Sequence, residues 1–437
     1  MFYGMFREGE SMDQKQLDYD FAIIGAGASG LMAAAAASKH IQGSRILLLE
    51  KNPSVGKKLY ATGNGRCNFL NRHAGAADYH SREGDGSAAR WIASALNQMP
   101  PSALEKIFYA MGLPAIVLEE GRLYPRSLQA ESVVEALMLA IQTAGVQIRT
   151  NAAVSGCQQI PQGFVVEDIH GKKNTVRCVL LATGGKAGLQ YGSQGDGYRL
   201  AEALGHGIVK PIPALTQLLF ESPDPTLFGV RAKVDVYLWR LRAGTAELAG
   251  RDGGEVQMTR EGISGICTFN VSRFYEIQKD VEYRAQLDFF PEHTQEELLA
   301  ILTERQHLLG ARPAGTFLNG MLPVKLACGL LREAGAECDG HIRDISRDRL
   351  QRIAALCKSY ERRVIGTKSW KDAQVTAGGV RLEEVDPVRL MSKRIPGLYF
   401  AGEILDVDGP CGGYNLTWAF ASGWIAGTAA GERKCCD

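Results

Sequence analysis

The stretch Phe21-Ala22-Ile23-Ile24-Gly25-Ala26-Gly27-Ala28-Ser29-Gly30 constrains the fold more than any other part of this chain. Four consecutive apolar residues read as a strand buried on both faces, as in a parallel sheet. Three glycines then demand a tight turn, and the alanine-rich run from Ala28 to Ser38 reads as a helix. In such a unit Gly25 permits the turn, Gly27 lets the backbone approach a pyrophosphate, and Gly30 lets helix and strand pack closely. Ala26, Ala28 and Ser29 complete the turn, so that free amides at the helix start face an anion. A second strand, Arg45 to Leu49, delivers Glu50 at its end. A carboxylate there accepts both hydroxyls of an adenosine ribose and repels a 2′-phosphate. Strand, glycine turn, helix, strand and terminal acid in one register point to dinucleotide binding in an α/β fold.

The rest of the composition narrows the class. With 437 residues the chain is long enough for two or three domains, and 45% hydrophobic and 22% charged residues are those of a soluble globular protein. A net charge of +1 offers no electrostatic argument for nucleic acid or an anionic membrane, and no apolar run is long enough to span a bilayer. Residues 1–18 carry Arg7, Glu8, Glu10 and Asp13 without an apolar core and read as a flexible tail, not a signal peptide. Ten cysteines without such a signal suit reduced thiols in the cytoplasm, and none are spaced as CxxC. The eight histidines show no HExxH spacing, so no metal centre is expected.

After Glu50 comes a basic loop: Lys51 at its start is a candidate cofactor contact, the plain alternative for Lys51, Lys57 and Lys58 being a solvated loop, and Thr62-Gly63-Asn64-Gly65-Arg66-Cys67-Asn68 follows. Small residues, amides and one guanidinium so near the first unit can lie against a flat ring. Residues 71–86 read as a surface excursion. Helices are expected at 87–97, 102–111 and 130–144, and short strands at 146–149, 164–167 and 176–181. The last strand runs into Ala182-Thr183-Gly184-Gly185 at the nucleotide face. From 208 onward strands follow one another without helices, at 234–241, 255–259 and 283–289, which predicts an antiparallel or barrel-like insert over 208–290 and 358–372. Helical periodicity fills 291–357, opened by a cap-like Thr294. Residues 373–437 resume the glycine-rich style of 19–207, so the nucleotide domain is split by the inserts.

Near the C-terminus a strand ends in Ala401-Gly402-Glu403, followed by Asp406, Asp408, Gly412-Gly413-Tyr414-Asn415-Leu416 and a helix over 418–430. This second strand–turn–helix unit suits a flavin better than a nicotinamide. A helix start stabilises the negative charge of a reduced flavin, and Asp406 is placed for ribityl hydroxyls.

On these segments the chain resembles the two-dinucleotide-binding-domain flavoproteins, and within them the BaiN/aminoacetone-oxidase type of NAD(P)/FAD-dependent oxidoreductases. Further matching stretches are Gly121-Arg122-Leu123-Tyr124-Pro125, Gly262-Ile263-Ser264-Gly265 and Val375-Thr376-Ala377-Gly378-Gly379-Val380. The resemblance implies bound FAD in a Rossmann-like domain split by a β-barrel-like insert and a small helical insert. It places FAD contacts on Gly25, Gly27, Gly30, Glu50, Asn64, Arg66, Val154, Thr183, Asp406, Asn415 and Leu416. NAD(P)H is the implied electron donor, although no second GxGxxG is present to hold it.

Three functions fit. The first is an NAD(P)H-driven reductase of a conjugated, apolar small molecule, as the BaiN branch reduces 3-oxo bile-acid dienones. The second is a flavin oxidase acting on an amine or aminoketone. The third is a redox-sensing or tRNA-modifying flavoprotein, disfavoured by the neutral charge. Tyr414, Tyr191 and water are candidate proton donors, and no residue stands out as catalytic.

Overall fold

The computed structural model describes residues 17–83, 86–336 and 339–433; most of the expected N-terminal tail and Cys435 and Cys436 lie outside them. Strand β1 (Tyr19–Ile24) sits at the centre of the main sheet because Phe21, Ala22 and Ile23 are wholly buried. It runs parallel to β2 (Ile46–Leu49) on one side and to Lys173–Leu181 on the other. Gln147–Arg149 extends the sheet beyond β2, and Leu398–Phe400 joins Lys173–Leu181 in parallel from the far end of the chain. The first half of Lys173–Leu181 instead pairs with an antiparallel hairpin, Val154–Ile160 and Gly163–Asp168.

Helix α1 (Ala28–Ala37) packs against the C-terminal helix Tyr414–Glu432. Their backbones approach closely because small residues recur four apart on each contact face. A Cβ at Gly423 would lie 2.3 Å from the Ser29 carbonyl oxygen, and one at Gly427 would lie 2.3 Å from that of Ala33. The C-terminal helix starts at Tyr414, a turn earlier than its sequence pattern suggests, with Gly413 at φ +95° as its cap.

The expected barrel is present and closed. Its strands run in the order Leu218–Phe220, Gly262–Ser264, Thr245–Met258, Arg231–Arg242, Val281–Asp288 and Tyr360–Thr367, which returns to the first. Ile208–Ala214 pairs with Val375–Val380 in a ribbon of its own, outside the barrel. Helices Gln295–Leu309, Val324–Glu333 and Arg347–Lys358 share one apolar core with the barrel, joining Leu298, Leu326 and Ile353 to Val236 and Leu287. Thr294 caps the first of these: its Oγ1 accepts the Glu297 amide, and the Glu297 carboxylate accepts the Thr294 amide. No helix among the described residues is long and apolar enough to cross a membrane.

Candidate functional site

The glycine turn at the end of β1 opens a cleft of about 790 Å³, within the size range of small-molecule sites. Gly25 holds φ +105°, and a Cβ there would meet the Ala182 carbonyl oxygen at 2.5 Å, so only glycine fits this approach of turn to strand. At Gly30 a Cβ would collide with the Gly25 carbonyl. Gly27 differs: it lines the cleft, and a Cβ there meets no protein atom within 4 Å. It caps α1 without a side-chain bond, leaving the first-turn amides for a ligand. Ala26, Ala28 and Ser29 line the same wall.

Glu50 lies at the cleft and is 7% exposed. Its Oε2 accepts the Ala26 amide at 2.9 Å, and Oε1 accepts the backbone and side-chain nitrogens of Asn52 at 2.8 and 2.7 Å. It therefore braces the glycine turn as well as facing the ligand space. Sequence reasoning missed Asn52, which has no motif of its own. Lys51 pairs with Asp196, and Lys58 donates to Glu403 Oε2 at 2.9 Å. Glu403 Oε1 accepts the Thr376 amide. Lys51 and Lys58 are thus paired, not merely solvated. Val154, Ala182, Thr183 and Gly184 line the cleft between these groups, whereas Gly185 packs on Thr376 behind it.

The other end of the cleft is built from Gly63, Asn64 and Asn68, with Gly412, Gly413, Asn415 and Leu416 at the start of the C-terminal helix. Asn68 Oδ1 is buried without a partner, an acceptor waiting for a donor that the protein does not supply. Leu215, Ile266 and Phe269 add apolar surface to the same cleft. Ile266 and Phe269 belong to the helix Ile266–Ser272, which Gly265 caps at the end of the Gly262–Ser264 strand.

Several sequence-derived candidates fall elsewhere. Gly65 and Arg66 are exposed and outside the cleft lining. Cys67 is wholly buried, which pushes its thiol up to about 11 and keeps it unreactive. Gly402 packs on Ser29, and Tyr414 lies off the cleft with its carbonyl accepting from Tyr79. Tyr191, the other candidate donor, does line it. Asp406 is absent from the cleft lining. It is wholly buried, and its Oδ2 accepts Ser81 Oγ and the amides of Arg82 and Glu83, while its Oδ1 is buried without a partner. Segment 81–83, read as a surface excursion, covers the carboxylate expected to face a ribityl chain, and burial pushes its pKa up. The Asn415 amide is likewise engaged, bonding both ways with Gly409.

A second constellation lies outside the cleft. Ser392 Oγ is 3.0 Å from His206 Nε2, and His206 Nδ1 is 3.0 Å from Glu384 Oε2, the order of a hydrolytic triad. Ser392 is 1% exposed and its Oγ also accepts the amides of Arg394 and Ile395, so the relay only ties loops together.

Over 416 residues the chain is 36% identical to a 3-dehydro-bile acid Δ4,6-reductase of Clostridium scindens, covering 94% of this chain and 98% of that one. It is 28% identical to a ribosomal RNA dihydrouridine synthase of Haemophilus influenzae, covering 92% and 96% respectively, and 27% identical to the Escherichia coli protein of that name. These two relatives remove the support for excluding nucleic acid on net charge alone. Among solved structures, a 3-ketosteroid Δ1-dehydrogenase of Sterolibacterium denitrificans shares the fold at a TM-score of 0.50 and 13% identity, covering 95% of this chain and 99% of that one. The HI0933-like protein Rossmann domain matches residues 19–429, and the chain belongs to that family.

Proposed function

We propose that the protein is an FAD-dependent reductase of a C=C bond conjugated to a carbonyl, with NAD(P)H as electron donor. The observation that carries this reading is one cleft lined both by the Gly25–Ser29 turn and by the apolar Leu215, Ile266 and Phe269. The residues present fit FAD. Gly27 leaves open space where a diphosphate must approach, and Asn68 Oδ1 lacks a donor at the ring end. Gly25 to Ser29 would hold the diphosphate, Glu50 the ribose and Val154 the adenine edge. Asn64, Asn68 and the backbone of Gly413 to Leu416 would hold the ring, with amides of the 19-residue helix facing its pyrimidine edge.

FAD, when bound, supplies two-electron chemistry at its ring. The chain supplies orientation and exclusion of water: Leu215, Ile266 and Phe269 offer a dry face to a flat apolar substrate. The 36% identity to a bile-acid Δ4,6-reductase favours a 3-oxo steroid dienone. A second reading, reduction of a ribosomal RNA uridine, is favoured by the two dihydrouridine synthases. Uracil also carries a C=C bond conjugated to a carbonyl, so the two readings share one chemistry and differ in what delivers the ring.

The test is the absorbance spectrum of the purified protein, followed by anaerobic titration with NADH and NADPH and addition of a 3-oxo-Δ4,6 steroid. A yellow protein bleached by one nicotinamide and reoxidised by the dienone is the expected outcome. Bleaching by aminoacetone alone, with peroxide formed on admitting air, would establish the oxidase instead. Reoxidation only by ribosomal RNA would establish the second reading.

A further inference from the structure

Strand Arg122–Pro125 alternates between cleft and core: Arg122 and Tyr124 line the cleft, while Leu123 and Pro125 are buried behind them. The strand is pinned in that register by Leu70 and Asn71 on one side and by Ala115–Val117 on the other. Arg122 is therefore delivered to the ring end of the cleft by a sheet, not by a mobile loop. The loop at Gly412 lies against it, so that a Cβ on Gly412 would come 3.4 Å from Arg122 Nε.

The guanidinium is only half used. Nη2 pairs with the carboxylate of Glu120, which is 72% exposed. Nε is buried and has no partner at all. A buried N–H without an acceptor costs about 1–3 kcal/mol, and such groups mark places where a ligand completes the bond. The wall formed by Leu215, Ile266 and Phe269 has no side chain able to donate to an oxygen. Of the other cations lining the cleft, Lys51 and Lys58 are already paired with Asp196 and Glu403, and Lys57, Arg199 and Lys371 lie on segments other than the Arg122–Pro125 strand. The Cys411 thiol is held neutral, its pKa pushed up to about 12 by burial.

We propose that Arg122 is a catalytic residue whose Nε–H donates a hydrogen bond to the carbonyl oxygen of the conjugated substrate. This rests on the reductase reading above and deepens it. When a hydride from the reduced cofactor reaches the β-carbon, the C=C pair shifts toward the carbonyl and negative charge gathers on its oxygen. A proton from water then completes the α-carbon. A fixed cation at that oxygen holds the charge as it forms, which is where a preorganised donor lowers the barrier. The same donor fits a 3-oxo steroid or a uracil carbonyl.

The experiment uses a steroid with a phenolic A ring, whose phenolate mimics the enolate and undergoes no reduction. Its ionisation when bound to the FAD-loaded protein is read from the ultraviolet difference spectrum across pH. The wild-type protein is expected to bind the phenolate at least about tenfold more tightly than the phenol, lowering the bound pKa by about one unit from a free value near 10. Arg122→Met should abolish that preference while keeping FAD content unchanged, and Arg122→Lys should keep part of it. An unaltered ionisation in Arg122→Met overturns the proposal. Loss of FAD in Arg122→Met also overturns it, because the side chain then belongs to the cofactor. A wild-type protein that ionises the phenol in an Arg122-dependent way but reduces no conjugated ketone leaves the anchor standing and defeats the reductase reading. One that reduces dienones without ionising the phenol does the reverse.

Discussion

Gly27 and Asp406 show how differently two site residues inferred from one sequence can fare in three dimensions. A side chain at Gly27 points into open cleft, so Gly27→Val is expected to leave the apoprotein fold intact and to weaken FAD at least tenfold, about 1.4 kcal/mol. Flavin retained per mole of purified protein, with the melting temperature of the apoprotein, checks this; a fully flavinated variant would contradict the cradle. The place of Gly27 at the cleft was legible because it is local, set by a strand before it and a helix after it. Asp406 was legible only as an acid after a turn; its burial was not. Its partner Ser81 lies 325 residues away, a separation across which no sequence pattern carries a signal. Asn52 belongs to the same class: its bonds to Glu50 follow from what surrounds it in space.

The two helices that cross over the sheet make a sharper test of packing. Gly423 and Gly427 lie one turn apart on the C-terminal helix, each against a backbone carbonyl of α1 that cannot swing aside. Gly423→Ala should destabilise the protein by about 1–3 kcal/mol, as overpacking of a close contact does. Because the displaced atom is the Ser29 carbonyl in the first turn of α1, FAD affinity should fall with stability. Urea denaturation with and without FAD separates the two effects, and a variant as stable as the parent would show that the helices have room to part. The long elements of this fold were readable from periodicity. The strands Leu218–Phe220 and Gly262–Ser264 were not, since three residues are too short to show a period, and the closure of the barrel depends on both.

Barrel and nucleotide-binding part are held together by charge as well as by the cleft wall. Arg273, just after the helix Ile266–Ser272, meets Asp408 in a bidentate pair at 2.6 and 2.7 Å, with both side chains almost wholly buried. Arg82 meets Glu276 nearby at 2.7 Å, and the Asn270 side chain accepts the Cys411 amide. His80 beside the pair stays neutral, its pKa pushed down to about 4 by burial and by Arg273. Arg273→Met strands the Asp408 charge and should cost about 3–5 kcal/mol, whereas Arg273→Met with Asp408→Leu should recover most of it. Chemical denaturation of the single and double variants measures the difference, and equal losses in the two would show that the pair itself contributes the stability. The sheet has a consequence for how the protein is made. Leu398–Phe400 completes it from the far end of the chain, and the helix that closes the cleft begins only at Tyr414 of 437 residues. A chain still emerging from the ribosome can form β1 and its turn early, yet the berth for a flavin stays unfinished until Leu398–Phe400 and the helix from Tyr414 have been made.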